Sequence, residues 1–395
     1  MRILFHGPVS SCHRPTAHLP FLSGIPSPIE TTLGGLKDNH NLTSNRGNLI
    51  HAEAPSKTIK ARPNASAFGN IPSLHQAFPL KVGEMLARNF DLIVYSTANF
   101  ITGNKEMVPF ANALRAVAGH VPFVVLGAGM QGKPDLADVH SSVQEILSIF
   151  NEKALLFGVR GMTTERWLHE NGFTNARALG CPSMYVYPQA INSVEAPLAA
   201  RIREGASYLT AGYLTVKGGH NFQRGVALAQ AFRNAKASYV FQDEFFQYGE
   251  ITKQSGIYNP ALSTCDRTAM NELLSKDTGK PINFANYYYF SETSAWRQVA
   301  AAHDVYCGDR FHGGIASLQA GKPALFMAHD NRVREMCDFF GLPWMTTQDL
   351  AAEGPAAAVT RTITPGQITD MKRTYRKRFD DYKSAMESAG ISLRH

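Results

Sequence analysis

The chain has 395 residues, 44% of them hydrophobic and 18% charged, and 39 Lys and Arg against 32 Asp and Glu leave a net charge of +7. That length exceeds one ordinary core and fits two domains of about 150 to 200 residues each. No window approaches the roughly 18 consecutive apolar residues of a membrane span, and Met1-Arg-Ile-Leu-Phe-His-Gly-Pro8 lacks the pattern of a signal peptide, so a cytoplasmic location is expected. Cys12, Cys181, Cys265, Cys307 and Cys337 are odd in number, scattered and never in Cys-x-x-Cys spacing, which argues against a disulfide framework or a structural metal site. The basic excess favours anionic ligands or the acidic inner face of a membrane. Nucleic acid is disfavoured, because no cluster of Lys and Arg and no recognisable RNA or DNA module is present.

The first strand is expected at Arg2 to Phe5. Pro, Gly, Asn and Ser then dominate, and the stretch from Pro8 to Pro79 reads as long loops, where binding residues and specificity commonly reside. A helix is expected from Leu80 to Arg88, a strand at Asp91 to Tyr95, a helix from Pro109 to Ala118 and a strand at Val121 to Leu126. A helix from Asp138 to Asn151 carries Val139, Val143, Ile146, Leu147 and Phe150 on one face, and Ala154 to Val159 closes as a strand at Arg160. Such alternation implies a parallel sheet covered by helices. Gly127-Ala-Gly-Met-Gln-Gly132 spells a dinucleotide fingerprint, but Lys133-Pro134 stands where the helix should be under way and Glu152 precedes the next strand instead of closing it. These glycines are read as a close-approach loop or a simple turn.

Pro188 to Ala200 reads as the start of an interdomain linker, and a second alternation follows. Ala206 to Leu214 is expected as a strand, Val216 to Asn221 as a Gly-rich loop, Gln223 to Asn234 as a helix, Tyr239 to Phe241 as a strand and Glu292 to Ala302 as a helix. Val305 to Cys307 and Ala324 to Met327 are strands flanking Asp309-Arg-Phe-His-Gly-Gly314 and a helix that is under way by Ile315 to Gln319. Arg310, His312, Gly313 and Gly314 therefore fall where helix N–H groups are free and a guanidinium suits phosphate or carboxylate. The plainer alternative pairs Arg310 with Asp309 and packs His312. Gln367 to Ala389, with Met371, Tyr375, Phe379 and Tyr382 at helical spacing, is a basic amphipathic helix that packs across the domains or, less in keeping with its pattern, on lipid.

Arg310-Phe-His-Gly-Gly314, Ala320-Gly-Lys-Pro323 and Asn331 to Pro343 together resemble the C-terminal signature of polysaccharide pyruvyl transferases. Thr43-Ser-Asn-Arg-Gly-Asn48 resembles that family's N-terminal turn, and Gly158 to Leu168 its mid-chain segment. The likeness spans residues 43 to 345, with departures: Gly161 and Cys181 stand where Asp is usual, and Asn48 replaces the commoner Asp. The resemblance implies an α/β fold of two Rossmann-like domains facing across a cleft, GT-B-like, with the C-terminal helix packing across them. The expected organisation is an acceptor-side domain at 1–188, a linker at 189–204, a donor-binding domain at 205–364 and the terminal helix at 365–395.

The resemblance further implies transfer of pyruvate from phosphoenolpyruvate to saccharide hydroxyls as a ketal, in exopolysaccharide or cell-surface glycan synthesis, on a soluble or lipid-linked acceptor, with no cofactor and no metal. By that analogy Arg160, Arg310, Phe311, Gly313 and Gly314 bind the donor. His312 is the expected acid or base, since an imidazole adopts both protonation states near neutrality. Lys217 and His220, in a second Gly-rich turn, and His329, after the next strand, are carried as acceptor or phosphate contacts, against the alternative of solvated loop and exposed charge. Asn45, Arg46 and Asn48 would face the acceptor from the first domain. Two other classes stay open: a GT-B glycosyltransferase using a nucleotide-sugar, and a sugar-binding module without catalysis.

Overall fold

The computed structural model describes residues 1–6, 45–253, 256–259 and 262–394. They form two compact units, the first from residues 1–6, 51–186 and 376–394, the second from 45–50 and 187–375.

In the first unit the strands are β1 (Ile3–His6), β2 (Ala67–Phe68), β3 (Leu92–Ser96), β4 (Asn99–Ile101), β5 (Phe123–Met130), β6 (Leu156–Val159) and β7 (Ala176–Ala178). Their order is β2-β1-β3-β5-β6-β7, with β4 beside the end of β5, and every pairing is parallel. Apolar runs such as Leu92-Ile-Val-Tyr95 are buried throughout, as a parallel sheet covered on both faces requires. Helices Val108–Val117 and Ser141–Lys153 bury Phe110, Leu114, Ile146 and Phe150, and the rings of Tyr95, Phe110, Phe123 and Phe157 meet around Phe150. The glycine run at 127–132 lies largely inside β5 and no helix follows it before Leu136, so the geometry of a dinucleotide site is absent there.

The loops expected up to residue 79 are only partly loops, and residues 8–44 of that stretch lie outside the described residues. Helices occupy Gly47–Thr58 and Ile71–Ala77, and Ile59, Ile71 and Leu74 are core. Pro55 lies inside the first of these helices. It has no N–H for the carbonyl of His51, and the Ser96 hydroxyl donates to that oxygen instead at 3.3 Å. Residues 56–78 are therefore structural, and excising them would remove core side chains along with any specificity.

The last residues of the chain complete this unit. Tyr382 stacks on Tyr185 at 4.2 Å, Lys60 N–H donates to Ser392 O at 2.9 Å and Arg394 N–H to Thr58 O at 2.8 Å. They extend from a 24-residue helix, Pro365–Ser388, whose residues up to Tyr375 group with the second unit and whose later residues group with the first. Among the described residues, no helix is long and apolar enough to cross a membrane.

The second unit holds β8 (Ser207–Thr210), β9 (Lys236–Val240), β10 (Tyr258–Asn259), β11 (Thr264–Cys265), β12 (Asn286–Tyr288), β13 (Val305–Gly308), β14 (Ala324–Met327) and β15 (Trp344–Met345). The order is β10-β11-β12-β9-β8-β13-β14-β15, parallel from β12 to β15 with an antiparallel edge at β10 and β11. From β8 the chain builds outward through β9 and β12, then returns to the other side at β13. The junction of β8 and β13 is thus the topological switch point, where doubly wound sheets bind ligands at the carboxyl ends of their strands. The segment expected as a linker is built into this unit. Pro188 opens a helix at its first position, where a missing N–H costs nothing, and Arg201 binds Asp304 through Nε at 3.1 Å.

Buried His6 sits between Tyr95 and Phe110, and its Nδ1 accepts the Ile71 N–H at 3.1 Å. Burial lowers its pKa to about 4. An unfolded histidine takes its proton near pH 6.5, so the neutral ring contributes stability above that pH and loses it as pH falls toward 4. Urea denaturation at pH 7 and pH 5 should show wild type losing about 2 kcal/mol more than His6→Gln between the two.

Candidate functional site at the carboxyl edge of the second sheet

The signature forms the turn after β13. Arg310 is the N-cap of the helix Phe311–Gln319, and the N–H groups of Asp309 and Arg310 both donate to Ala211 O beyond the end of β8, at 3.0 and 3.3 Å. The Arg310 guanidinium is buried and held through Nε and Nη2. Nε donates to Gly212 O at 2.8 Å, Nη2 donates to Glu244 at 3.1 Å and to Asp243, and the plane lies 3.4 Å over the Tyr213 ring. Arg224 stands 4.5 Å from the same ring and binds buried Asp309 at 2.9 Å, while His329 meets Tyr213 edge-on at 5.6 Å.

One guanidinium thus faces two carboxylates, and the two respond differently. Burial opposes the charge of Asp243, but Arg310 outweighs it and holds that carboxyl below its ordinary value. At Glu244 burial wins and the pKa is pushed up to about 8. Arg310 thus favours the ionised form of Asp243, while burial favours the protonated form of Glu244. The acids that bond the Arg310 guanidinium lie beyond β9, whereas the neighbouring Asp309 is bonded to Arg224.

His312 is the second residue of the helix and is nine-tenths buried. Gly47 lies against it so closely that a Cβ there would stand 2.9 Å from the His312 Cβ and 3.0 Å from Nδ1. The Gly47 N–H donates to Asn45 Oδ1 at 3.0 Å and to Gln242 Oε1 at 3.1 Å. Arg46, fully buried, donates to the Tyr289 hydroxyl at 2.7 Å and lies over its ring, and the Asn48 N–H closes the turn onto Asn45 O at 2.9 Å. The turn at Asn45–Asn48, expected on the first domain, therefore belongs to the second unit and borders His312. Gln242, Asp243 and Glu244 were missed from sequence. Their signal was an amide and two acids directly after the strand ending Tyr239-Val-Phe241, at the same sheet edge as the signature.

Gly313 and Gly314 serve packing, where ligand approach was expected. A Cβ on Gly313 would stand 2.8 Å from the Tyr306 ring, and one on Gly314 would stand 2.3 Å from Phe326 Cε1. The Gly313 N–H is also used, donating to Arg310 O at 3.0 Å, while Phe311 and His312 stand at the first two positions of the helix. The Phe311 ring packs against Phe326 at 5.3 Å. His329 is paired with Asp330 at 3.3 Å and Asp330 caps the next helix, so His329 does join the cluster through Tyr213. Lys217 and His220 do not. Both side chains are exposed on a turn whose Lys217 N–H is tied to Asp277 at 2.9 Å.

In the first unit Arg160 follows β6 as Arg310 follows β13. It is buried, with Nε donating to Gly127 O and Nη1 to Asn99 Oδ1, both at 3.0 Å, and Gly129 leaves room for its side chain, since a Cβ there would stand 2.8 Å from Arg160 Cδ. Gly161, at a position where the family favours Asp, is an N-cap with no side chain to accept a helix N–H. Cys181, another such position, places its sulfur 3.3 Å from His51 Nδ1 and 3.0 Å from Ser183 Oγ.

Two Rossmann-like units, each a parallel sheet covered by helices, define the fold class as GT-B-like. The sequence model described as polysaccharide pyruvyl transferase matches residues 56–331, and the chain belongs to that family. Arg160 and Arg310 to Gly314 lie inside the match, and the Asn45–Asn48 turn lies before it. No curated protein matches the chain in sequence. Among solved structures, trehalose-6-phosphate synthase OtsA is 10% identical with a TM-score of 0.52 and full coverage of both chains. Anabaena Alr3699/HepE in complex with UDP-glucose is 13% identical with a TM-score of 0.48, covering 98% of this chain and all of that one. At such identities the likeness is one of fold.

Gly314→Ala should destabilise the second unit by about 1 to 3 kcal/mol through overpacking, and Phe326→Leu in the same chain should return part of that loss. Thermal denaturation of the two single variants and the double variant measures both effects.

Proposed function

We propose that the chain transfers pyruvate from phosphoenolpyruvate to two hydroxyls of a saccharide as a ketal, releasing phosphate, in the synthesis of an exopolysaccharide or cell-surface glycan. The acceptor is soluble or lipid-linked, and the reaction belongs in the cytoplasm or at the inner membrane face. The observation that carries this reading is the placement of His312, inside the family match, at the start of a helix and against the Asn45–Gly47 turn.

The chemistry needs a proton delivered to the donor's methylene carbon, which makes C2 electrophilic. One sugar hydroxyl then adds to C2, and phosphate leaves as the second hydroxyl closes the ketal, each hydroxyl giving up its proton. His312 is the group suited to hold and pass these protons, and a phosphate beside it favours its acid form. The N–H groups of Phe311 and His312 suit the phosphate at the helix start. Arg160 is retained as a donor ligand. The engaged Arg310 acts instead as a positioning residue, tying the loop that carries Gln242 to the turn that carries His312. Asn45 and Asn48, now beside His312, suit acceptor hydroxyls.

A second reading, a glycosyltransferase using a nucleotide-sugar, is favoured by one observation. Asp243 is partly exposed at the switch point, where a ribose hydroxyl could meet it. Calorimetric titration with phosphoenolpyruvate beside UDP- and GDP-sugars separates the two. Saturable binding of phosphoenolpyruvate is expected, and binding of a nucleotide-sugar alone would transfer the assignment to glycosyl transfer. His312→Ala should abolish phosphate release while phosphoenolpyruvate affinity stays within several-fold. A variant that loses binding and keeps turnover at saturating donor would make His312 a ligand.

A further inference from the structure

At the opposite, amino-terminal edge of the same sheet lies a groove of about 630 Å³. That is within the range of small-molecule sites, roughly 300 to 1,000 Å³. It runs between the helix Phe222–Ala231, the start of β9 and the helices Thr347–Glu353 and Pro355–Thr362. Small side chains, among them Ala227, Ala231 and Ala352, make its walls and leave the space open.

Three cations border it: Arg233, Lys236 and Lys280. Among the described residues none of them has an acidic partner, whereas Glu353, the acid of the groove, is committed to Arg361 at 2.6 Å. The groove also meets the start of the helix Pro355–Thr362, whose N-cap, Gly354, supplies no side-chain acceptor. Pro355 has no N–H, so the N–H groups of Ala356 and Ala357 are the open donors there, and this end of the helix favours negative charge. An independent observation marks the floor. Tyr208 in β8 lines the groove and is 3% exposed, and its hydroxyl has no hydrogen-bond partner among the described residues. A buried hydroxyl left unpaired is costly, which marks the floor of the groove as a place where a polar partner is wanting.

We propose that this groove binds a small organic phosphate, its phosphoryl group between Lys236, Lys280 and the helix start, its uncharged body over Tyr208. The site stands at the far ends of β8 and β9 from the signature, so it does not depend on the reaction assigned above. A ligand here would bias the packing of the two helices that flank the first strand pair of the sheet, which is the place of an effector site.

Calorimetry on the full chain with glucose 1-phosphate, inorganic phosphate and glucose tests it. Glucose 1-phosphate is expected to bind with a Kd on the order of 1 mM or tighter, phosphate more weakly and glucose not detectably. Lys236→Glu with Lys280→Glu, both exposed, should weaken glucose 1-phosphate by about tenfold or more, and Tyr208→Phe should weaken it several-fold without loss of fold. His312→Ala should leave this binding unchanged. Absence of glucose 1-phosphate binding in the wild type, or equal affinity in the charge-reversed variant, would overturn the proposal, and loss of binding in His312→Ala would assign the titration to the signature site.

Discussion

The Arg310 guanidinium is the constraint on which the second unit's sheet edge depends. It receives contacts from three strand ends at once: Gly212 and Tyr213 beyond β8, Asp243 and Glu244 beyond β9, and its own position beyond β13. A buried cation without countercharge would cost several kcal/mol. Removing it would in turn leave two acids unpaired in a low-dielectric setting. The geometry of the edge is therefore over-determined, and His312, two residues on, inherits a fixed place. Asp243 and Glu244 show how burial and one positive charge drive two neighbouring carboxyls in opposite directions, the more exposed toward its ionised form and the more buried toward its protonated form.

Much of this fold was legible in the sequence because its strands are continuous apolar runs and its helices keep one apolar face. The strands expected at Asp91 to Tyr95 and Val305 to Cys307 were placed within one residue, and that expected at Val121 to Leu126 starts within two but runs on to Met130, since parallel strands buried on both faces have little freedom in composition. The turn at Asn45–Asn48 could not be assigned to its unit. Its partner Gln242 lies 195 residues away, and no local pattern reports such a contact. The Pro-, Gly-, Asn- and Ser-rich composition before Pro79 concealed the helix Gly47–Thr58, whose internal Pro55 is tolerated because the Ser96 hydroxyl takes up the freed His51 carbonyl.

The signature illustrates a further limit. Arg310, His312 and the glycines were correctly singled out as one structural unit, yet their roles divide once the packing is known. Gly313 and Gly314 admit aromatic rings, Arg310 ties strand ends together, and His312 lies against the Asn45–Gly47 turn. A motif marks where geometry is demanding. It does not distinguish the part that holds the site from the part that acts.

The first unit is closed by the last residues of the chain, with Tyr382 on Tyr185 and the backbone of 392–394 bound to 58–60. In the usual order of synthesis an N-terminal domain folds while the rest is still being made. Here residues 376–394 must be made before the first unit is complete, and by then residues 187–375 of the second unit precede them out of the ribosome. The nascent first sheet therefore waits through the synthesis of the second unit with its Tyr185 face uncovered, so closure of the first unit is a late event however early its strands are made.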